Sequence, residues 1–401
     1  MKLKSTLKFI VISVISVPCI AQTWVAQTSG TTNDVWGASF VSANVGWASC
    51  ANGGMLHTSN GGSTWTSQTT GVSSTFILRS VNFLDANNGW SVGDGGTIIH
   101  TTNGGTTWTP QTSGTSQTLR QSTWASSMVG WIGGGAGTIL HTTDGGSTWT
   151  AQTSGTSESI MSIEFTDAMN GYAACSNGGT PPGLILHTSD GGVTWTPQTA
   201  PTTANLNGVS TGSSAIAFMG GNAGEIFGTT NSGATWTSQT NPSTNTIRGM
   251  DFVSASYGWA VGDNGSIVYT ANGGGTWNIQ TSGTSVTLRG LNMFDVNNGW
   301  AVGNTGTILK YSNTVGIRPL TDDHSINIYP NPSNGIFQID LKNTQNAKVA
   351  VYNILGVLVY SAEQGNVSAM EIDLGGIANG AYFVKIHSTS GDSTQKIVIS
   401  K

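Results

Sequence analysis

The chain is short of charge: only 8% of its 401 residues are Asp, Glu, Lys or Arg, against roughly 25% in an ordinary soluble domain. Positive charge is scarcest. From Phe9 to Leu309 there is no lysine, and the only cations are Arg79, Arg120, Arg248 and Arg289. Nucleic-acid binding is therefore excluded as an expectation, because neutralising phosphates needs a dense basic surface. No helical period runs through the sequence, which excludes a bundle or coiled coil. Beyond the N-terminal segment no apolar run approaches the roughly 20 residues of a membrane helix, so no transmembrane segment is expected in the mature chain. What is plentiful is glycine, 56 residues, and tryptophan, 14 residues. The glycines follow no Gly-X-Y period, and 37% apolar residues with that much tryptophan is too much core material for disorder. A large all-β protein is the class that remains.

An internal repeat organises most of the chain. Thr-Trp pairs end at Trp24, Trp65, Trp108, Trp149, Trp195, Trp236 and Trp277, with spacings of 41, 43, 41, 46, 41 and 41 residues. A period of this size marks a propeller blade or a solenoid turn. A second landmark, Gly-Trp, recurs at Trp47, Trp90, Trp131, Trp259 and Trp300, with Tyr172 and Phe218 in the other two units. One unit parses into four strands, Leu78 to Leu84, Gly89 to Val92, Thr97 to Thr101 and Thr107 to Gln111, separated by turn-forming residues. Four short strands per unit is the blade of a propeller. The repeats begin with a fourth-strand sequence, Thr23 to Thr28, and end with a third strand, Thr307 to Lys310. Pairing of these two would close a ring of seven blades and remove the exposed edges of an open array.

The ends differ from the repeats. Lys2, Lys4 and Lys8 precede the apolar run Phe9 to Val17 and a small-residue site before Gln22, the pattern of an export signal over residues 1–21. The propeller is expected over residues 22–313 and a linker over residues 314–325. Residues 326–401 contain Tyr329-Pro330-Asn331-Pro332, the strand Val349 to Asn353, Gly380-Ala381-Tyr382-Phe383 and Lys396 to Ile399, whose alternating apolar residues predict a small C-terminal β-sandwich.

The turns ahead of the internal Thr-Trp pairs, Thr58 to Trp65, Thr101 to Trp108, Thr142 to Trp149, Thr188 to Trp195, Thr229 to Trp236 and Thr270 to Trp277, fit S/T-x-D/N-x-G-x-T-W. They resemble the Asp-box, or bacterial neuraminidase, repeat. With the Gly-Trp-Ala-Val-Gly strand added, the region is similar to the seven-bladed propellers of photosystem II assembly factors. That resemblance implies a binding protein without catalysis, served by arginines on one face. The tail resembles the type A C-terminal sorting domain of the type IX secretion system. It implies a Bacteroidota protein that uses that machinery as a partner and ends up secreted or on the outer-membrane surface.

Candidate site residues come from comparing the units. Eleven residues before each second-strand aromatic stand Trp36, Arg79, Arg120, Met161, Asn207, Arg248 and Arg289. In the usual propeller geometry this slot rims the central channel on the face opposite the Asp boxes. Arginines converging there, with Trp36 as a stacking face, would take an extracellular polar or anionic ligand, glycan or protein. Asp94 and Asp263 are placed to pair with Arg79 and Arg248, whereas Gly135 and Asn304 stand in the equivalent places beside Arg120 and Arg289. The alternative function is a sialidase-like or xyloglucan-hydrolase-like glycan hydrolase, for which Glu164 and Asp251 are the candidate carboxylates. No Phe-Arg-Ile-Pro signature accompanies them. His57, His100, His141 and His187 recur on the third strands, too far apart on a ring of blades to share one ion, so packing roles are expected and no metal or other cofactor. Cys50 and Cys175 occupy equivalent places in blades one and four and are expected as free thiols.

Overall fold

The structure is a computed structural model, and it describes residues 23–176, 183–198, 201–202, 204–312, 327–340, 347–354, 356–364, 368–388 and 391–401. It falls into two compact units that divide between Val315 and Gly316. The expected export signal and linker lie outside the described residues.

Each repeat of the first unit folds into an antiparallel four-stranded sheet in sequential order, and the described residues make seven such sheets. In blade two the strands are Leu78–Phe83, Gly89–Gly93, Ile98–Thr101 and Thr109–Gln111. The fourth strand starts two residues later than the sequence pattern suggests. Thr107 is still held by the preceding turn, its N–H donating to Asn103 Oδ1 at 2.9 Å. In that turn Gly105 N donates to Thr101 Oγ1 at 2.9 Å, and both Gly104 and Gly105 have positive φ, a conformation that glycine adopts without a Cβ clash. Gly104 N also reaches the carbonyl of Asn87. This places the third-to-fourth-strand turn and the first-to-second-strand loop at the same end of the blade.

Aromatic rings join neighbouring blades. Trp47 stacks on Phe83 with centroids 3.5 Å apart, and Trp90 on Trp124, Trp131 on Phe165 and Phe218 on Phe252 repeat the contact. Each of these aromatics buries a large apolar area, so the stacks bear much of the packing between sheets. A fourth-strand glutamine adds a polar latch. Gln111 accepts from Trp149 Nε1 at 3.2 Å and donates to the carbonyl of Gly145, both in the next blade.

The last blade meets the first in the same way. Thr23–Gln27 pairs with Ile308–Ser312 and supplies the fourth strand of the seventh sheet. Trp300 stacks on Phe40 at 3.4 Å, and Phe40 N donates to Asn292 Oδ1 at 2.8 Å. The first unit is thus a seven-bladed β-propeller.

The repeated histidines stack on the second-strand aromatic of their own blades: His57 on Trp47, His100 on Trp90, His141 on Trp131 and His187 on Tyr172. Tyr269 and Lys310 take the same place over Trp259 and Trp300. Burial holds all four imidazoles below the ordinary histidine pKa. Cys50 and Cys175 are free and buried.

The second unit packs a three-stranded sheet, Asn327–Tyr329, Ile336–Asp340 and Ala369–Asp373, on a four-stranded one, Leu358–Gln364, Ala347–Asn353, Gly380–Ser388 and Gly391–Ile399. Phe337, Ile339 and Ile372 from one sheet share a core with Val349, Val351, Val384 and Ile397 from the other. It is the expected sandwich, whose alternating residues turn one face inward.

Candidate functional site

The first strands of the seven blades surround a central cavity of about 490 Å³. Trp36, Arg79, Arg120, Met161, Asn207, Arg248 and Arg289 all line it. The backbone explains why. In blade two Leu78 faces Gly93 and Ser80 faces Val92, so Arg79 is an extra residue with no partner opposite, a β-bulge. The register breaks at the same slot in every blade, at Trp36, Arg120, Met161, Asn207, Arg248 and Arg289. A bulge bends its strand and re-aims the side chain it carries. Repetition around the ring therefore gathers seven slot residues about one mouth. Sequence reasoning found the slot but missed the bulge, whose only trace is glycine as the next residue in four blades, at Gly37, Gly208, Gly249 and Gly290. At Gly290 a Cβ would lie 2.6 Å from the carbonyl oxygen of Trp36.

The four arginines are not equivalent. Arg79 Nε donates to Asp94 at 2.7 Å. Arg248 forks onto Asp263 with two bonds of 2.9 Å. Arg289 donates to Asn304 Oδ1 and also has Asp34, from the neighbouring blade, at 3.9 Å. That acid sits in the approach to blade one and was outside the within-blade comparison. Arg120 is the exception. Its Nε is buried without a hydrogen-bond partner, since Gly135 stands where Asp94 stands in blade two. Burial and the charge of Arg79 lower its pKa, opposed by Asp94. A guanidinium nonetheless stays charged at neutral pH. Trp36 lies between two cations, with Arg289 4.0 Å and Arg79 4.6 Å from its ring centroid. Its own Nε1 is buried and unpaired.

Glu164 and Asp251 line the same cavity, but their oxygens are engaged between blades. Glu164 accepts from the N–H and hydroxyl of Thr211 at 3.2 and 2.8 Å, and Asp251 accepts from Met293 N at 2.6 Å. Ser39, Thr123, Ser210 and Asn292, in the same slot of other blades, accept the N–H groups of Phe83, Phe165, Phe252 and Phe40. In six of the seven blades the slot is a clasp from one first strand to the next, and the two acids are its carboxylate versions. Burial pushes Glu164 up to about 8, with the charge of Asp251 adding to it against hydrogen bonds from Thr211 and Ser210. Burial raises Asp251 to about 7 against bonds from Met293 and Asn292.

Similar folds are known. The solved structure of YCF48 bound to D1 peptide is 22% identical over 74% of this chain and 99% of that one, with a TM-score of 0.62. YCF48 from Cyanidioschyzon merolae is 20% identical over 72% and 98%, with a TM-score of 0.60. PorZ, a surface component of the type IX secretion system of Porphyromonas gingivalis, is 14% identical over 92% and 60%, with a TM-score of 0.54. No curated protein matches the chain. Residues 327–400 match the secretion system C-terminal sorting domain, which marks the chain as one exported by the type IX system to the cell surface or the extracellular space. Residues 18–113 and 114–256, more than half of the chain, match the photosynthesis system II assembly factor YCF48 family, and the chain belongs to that family.

Proposed function

We propose that the chain is a binding or adhesion propeller without catalysis of its own, working outside the cell. Arg79, Arg120, Arg248, Arg289 and Trp36 take a polar or anionic ligand at the mouth of the central cavity. The observation that carries this reading is Arg120, a half-buried arginine whose buried Nε has no acceptor, on the wall of a cavity rimmed by three more arginines. A buried donor left unpaired costs about 1 to 3 kcal/mol, and a ligand oxygen would relieve it. Trp36 offers an aromatic body beside these charges. A peptide in a related propeller supports a polypeptide as one class of ligand. Residues 1–21 act as the export signal, residues 314–325 as the linker, and the tail hands the chain to the secretion machinery of a Bacteroidota host. The turns at Thr58, Thr101, Thr142, Thr188, Thr229 and Thr270 are Asp boxes that serve the scaffold.

Glycan hydrolysis is the second reading, favoured by the joint presence of Glu164 and Asp251 in the cavity. Their role as inter-blade acceptors weighs against it. A glycan and peptide array on the purified mature chain, run beside a hydrolysis screen, separates the two. Binding that Arg120→Ala abolishes at an unchanged melting temperature supports the first. Turnover that Glu164→Gln abolishes overturns it.

A further inference from the structure

The propeller has a second face whose chemistry the arginine mouth does not explain. The third-to-fourth-strand turns bond to the first-to-second-strand loops, as Gly104 N does to Asn87, Gly145 N to Met128, Gly191 N to Met169 and Gly273 N to Ser256. These loops follow the ends of the innermost strands away from the bulges, so they surround the opposite end of the channel. Their tips carry Leu84, Met128, Met169, Tyr257, Phe294 and Val296, each between 36% and 51% exposed, and Val193 projects from the turn beside Met169. Of the ten exposed large apolar side chains among the described residues of the propeller, these are seven. They occur in neighbouring blades, two to four and six to seven, and exposed apolar side chains that share one face of the ring mark a contact surface.

Charge selects the kind of partner. All four propeller arginines line the other mouth. The loop face instead carries Asp85, Asp167 and Asp295 in its loops and Asp144 and Asp190 in its turns, with Lys310 as its single cation among the described residues. Hydrogen bonds from the loop of Asp85, and from the turns of Asp144 and Asp190, hold these carboxyls below the ordinary range. They are charged at neutral pH, so the face repels anionic membranes and attracts cations. We propose that it is a second docking surface, distinct from the arginine mouth, for a cationic protein segment that inserts apolar side chains between the loop tips. Apolar contact supplies most of the affinity there, and the aspartates set partner choice and encounter rate.

The test uses the full mature chain and three labelled peptides of equal length that alternate Lys-Leu, Lys-Ser and Glu-Leu, beside phosphatidylglycerol vesicles. The Lys-Leu peptide is expected to bind, and Lys-Ser and Glu-Leu, all measured on Arg120→Ala so that the arginine mouth does not capture the anionic peptide, to bind roughly tenfold more weakly or worse, the loss of about 1.4 kcal/mol. Met128→Ser with Met169→Ser should weaken Lys-Leu binding at an unchanged melting temperature, and so should Asp85→Asn with Asp295→Asn, which keeps an acceptor for each loop. Arg120→Ala should leave it untouched, so this surface stands or falls apart from the arginine site. Equal binding of all peptides, insensitivity to both loop variants, or preference for the vesicles would overturn the proposal. So would concentration-dependent dimerisation that the methionine variant abolishes, because the face would then belong to a second copy of the chain.

Discussion

Replacing Glu164 by Gln should stabilise the propeller, and by an amount that grows with pH. The folded carboxyl sits at about 8 against an ordinary value of 4.5. It therefore holds its proton more tightly than the unfolded chain, and raising the pH through this interval favours unfolding until both states are ionised. At about 1.36 kcal/mol per pH unit, the full span is worth about 5 kcal/mol. Glu164 is half-buried on the wall of the cavity, where water relieves part of the burial cost, and about 2 kcal/mol is a working value. Gln keeps an oxygen for the Thr211 N–H and hydroxyl, so the clasp survives. Thermal unfolding of both proteins between pH 5 and about 9 checks this, with the melting temperatures equal near pH 4 to 5 and the variant higher by roughly 4 to 8 °C at the alkaline end. The stacked histidines oppose the trend in acid, since burial lowers them from 6.5 and they add stability as pH rises towards that value. The difference between the two proteins cancels them. Parallel pH profiles, or a variant less stable at every pH, would refute a neutral buried Glu164.

Asp251→Asn should behave likewise with its transition nearer pH 7, because burial raises this carboxyl to about 7, and the same pH series reads it. Removing Thr23–Gln27 should strip the seventh sheet of its fourth strand and Gln280 of the bond it accepts from Trp24, lowering the melting temperature and promoting aggregation; an unchanged melting temperature would contradict the closure. Cys50 should resist alkylation in the folded protein at pH 8 and react on unfolding, because burial pushes its thiol up to about 12. Truncation after Ser325 should leave a folded propeller retained in the periplasm of its host, which fractionation would detect.

Much of the site was legible as a slot. Counting back from the second-strand aromatic gathered Trp36 and four arginines, and the cavity wall contains all five. Pairing was legible only inside a blade, where loop and strand are close in sequence. Asp94 and Asp263 were foreseen on that basis. Asp34 reaches Arg289 only because the last blade lies against the first, a neighbourhood that 255 residues of sequence separation conceals.

What the sequence determined by itself is everything that repeats locally: the blade period, the glycine turns, the split seventh blade and the sandwich tail. Those follow from residue-by-residue preferences for turns and alternating burial, which act over a few neighbours. Tertiary structure decided what depends on the ring. The bulge that aims seven slot residues into one mouth is a property of strand pairing. The clasp bonds that Glu164 and Asp251 accept depend on N–H groups of the adjoining blade. Arg120 stands without an acceptor for its Nε because its own blade has glycine where Asp94 stands in blade two, and no acceptor folded against it from elsewhere. Local preference chose the residues, and the closing of the ring chose their partners.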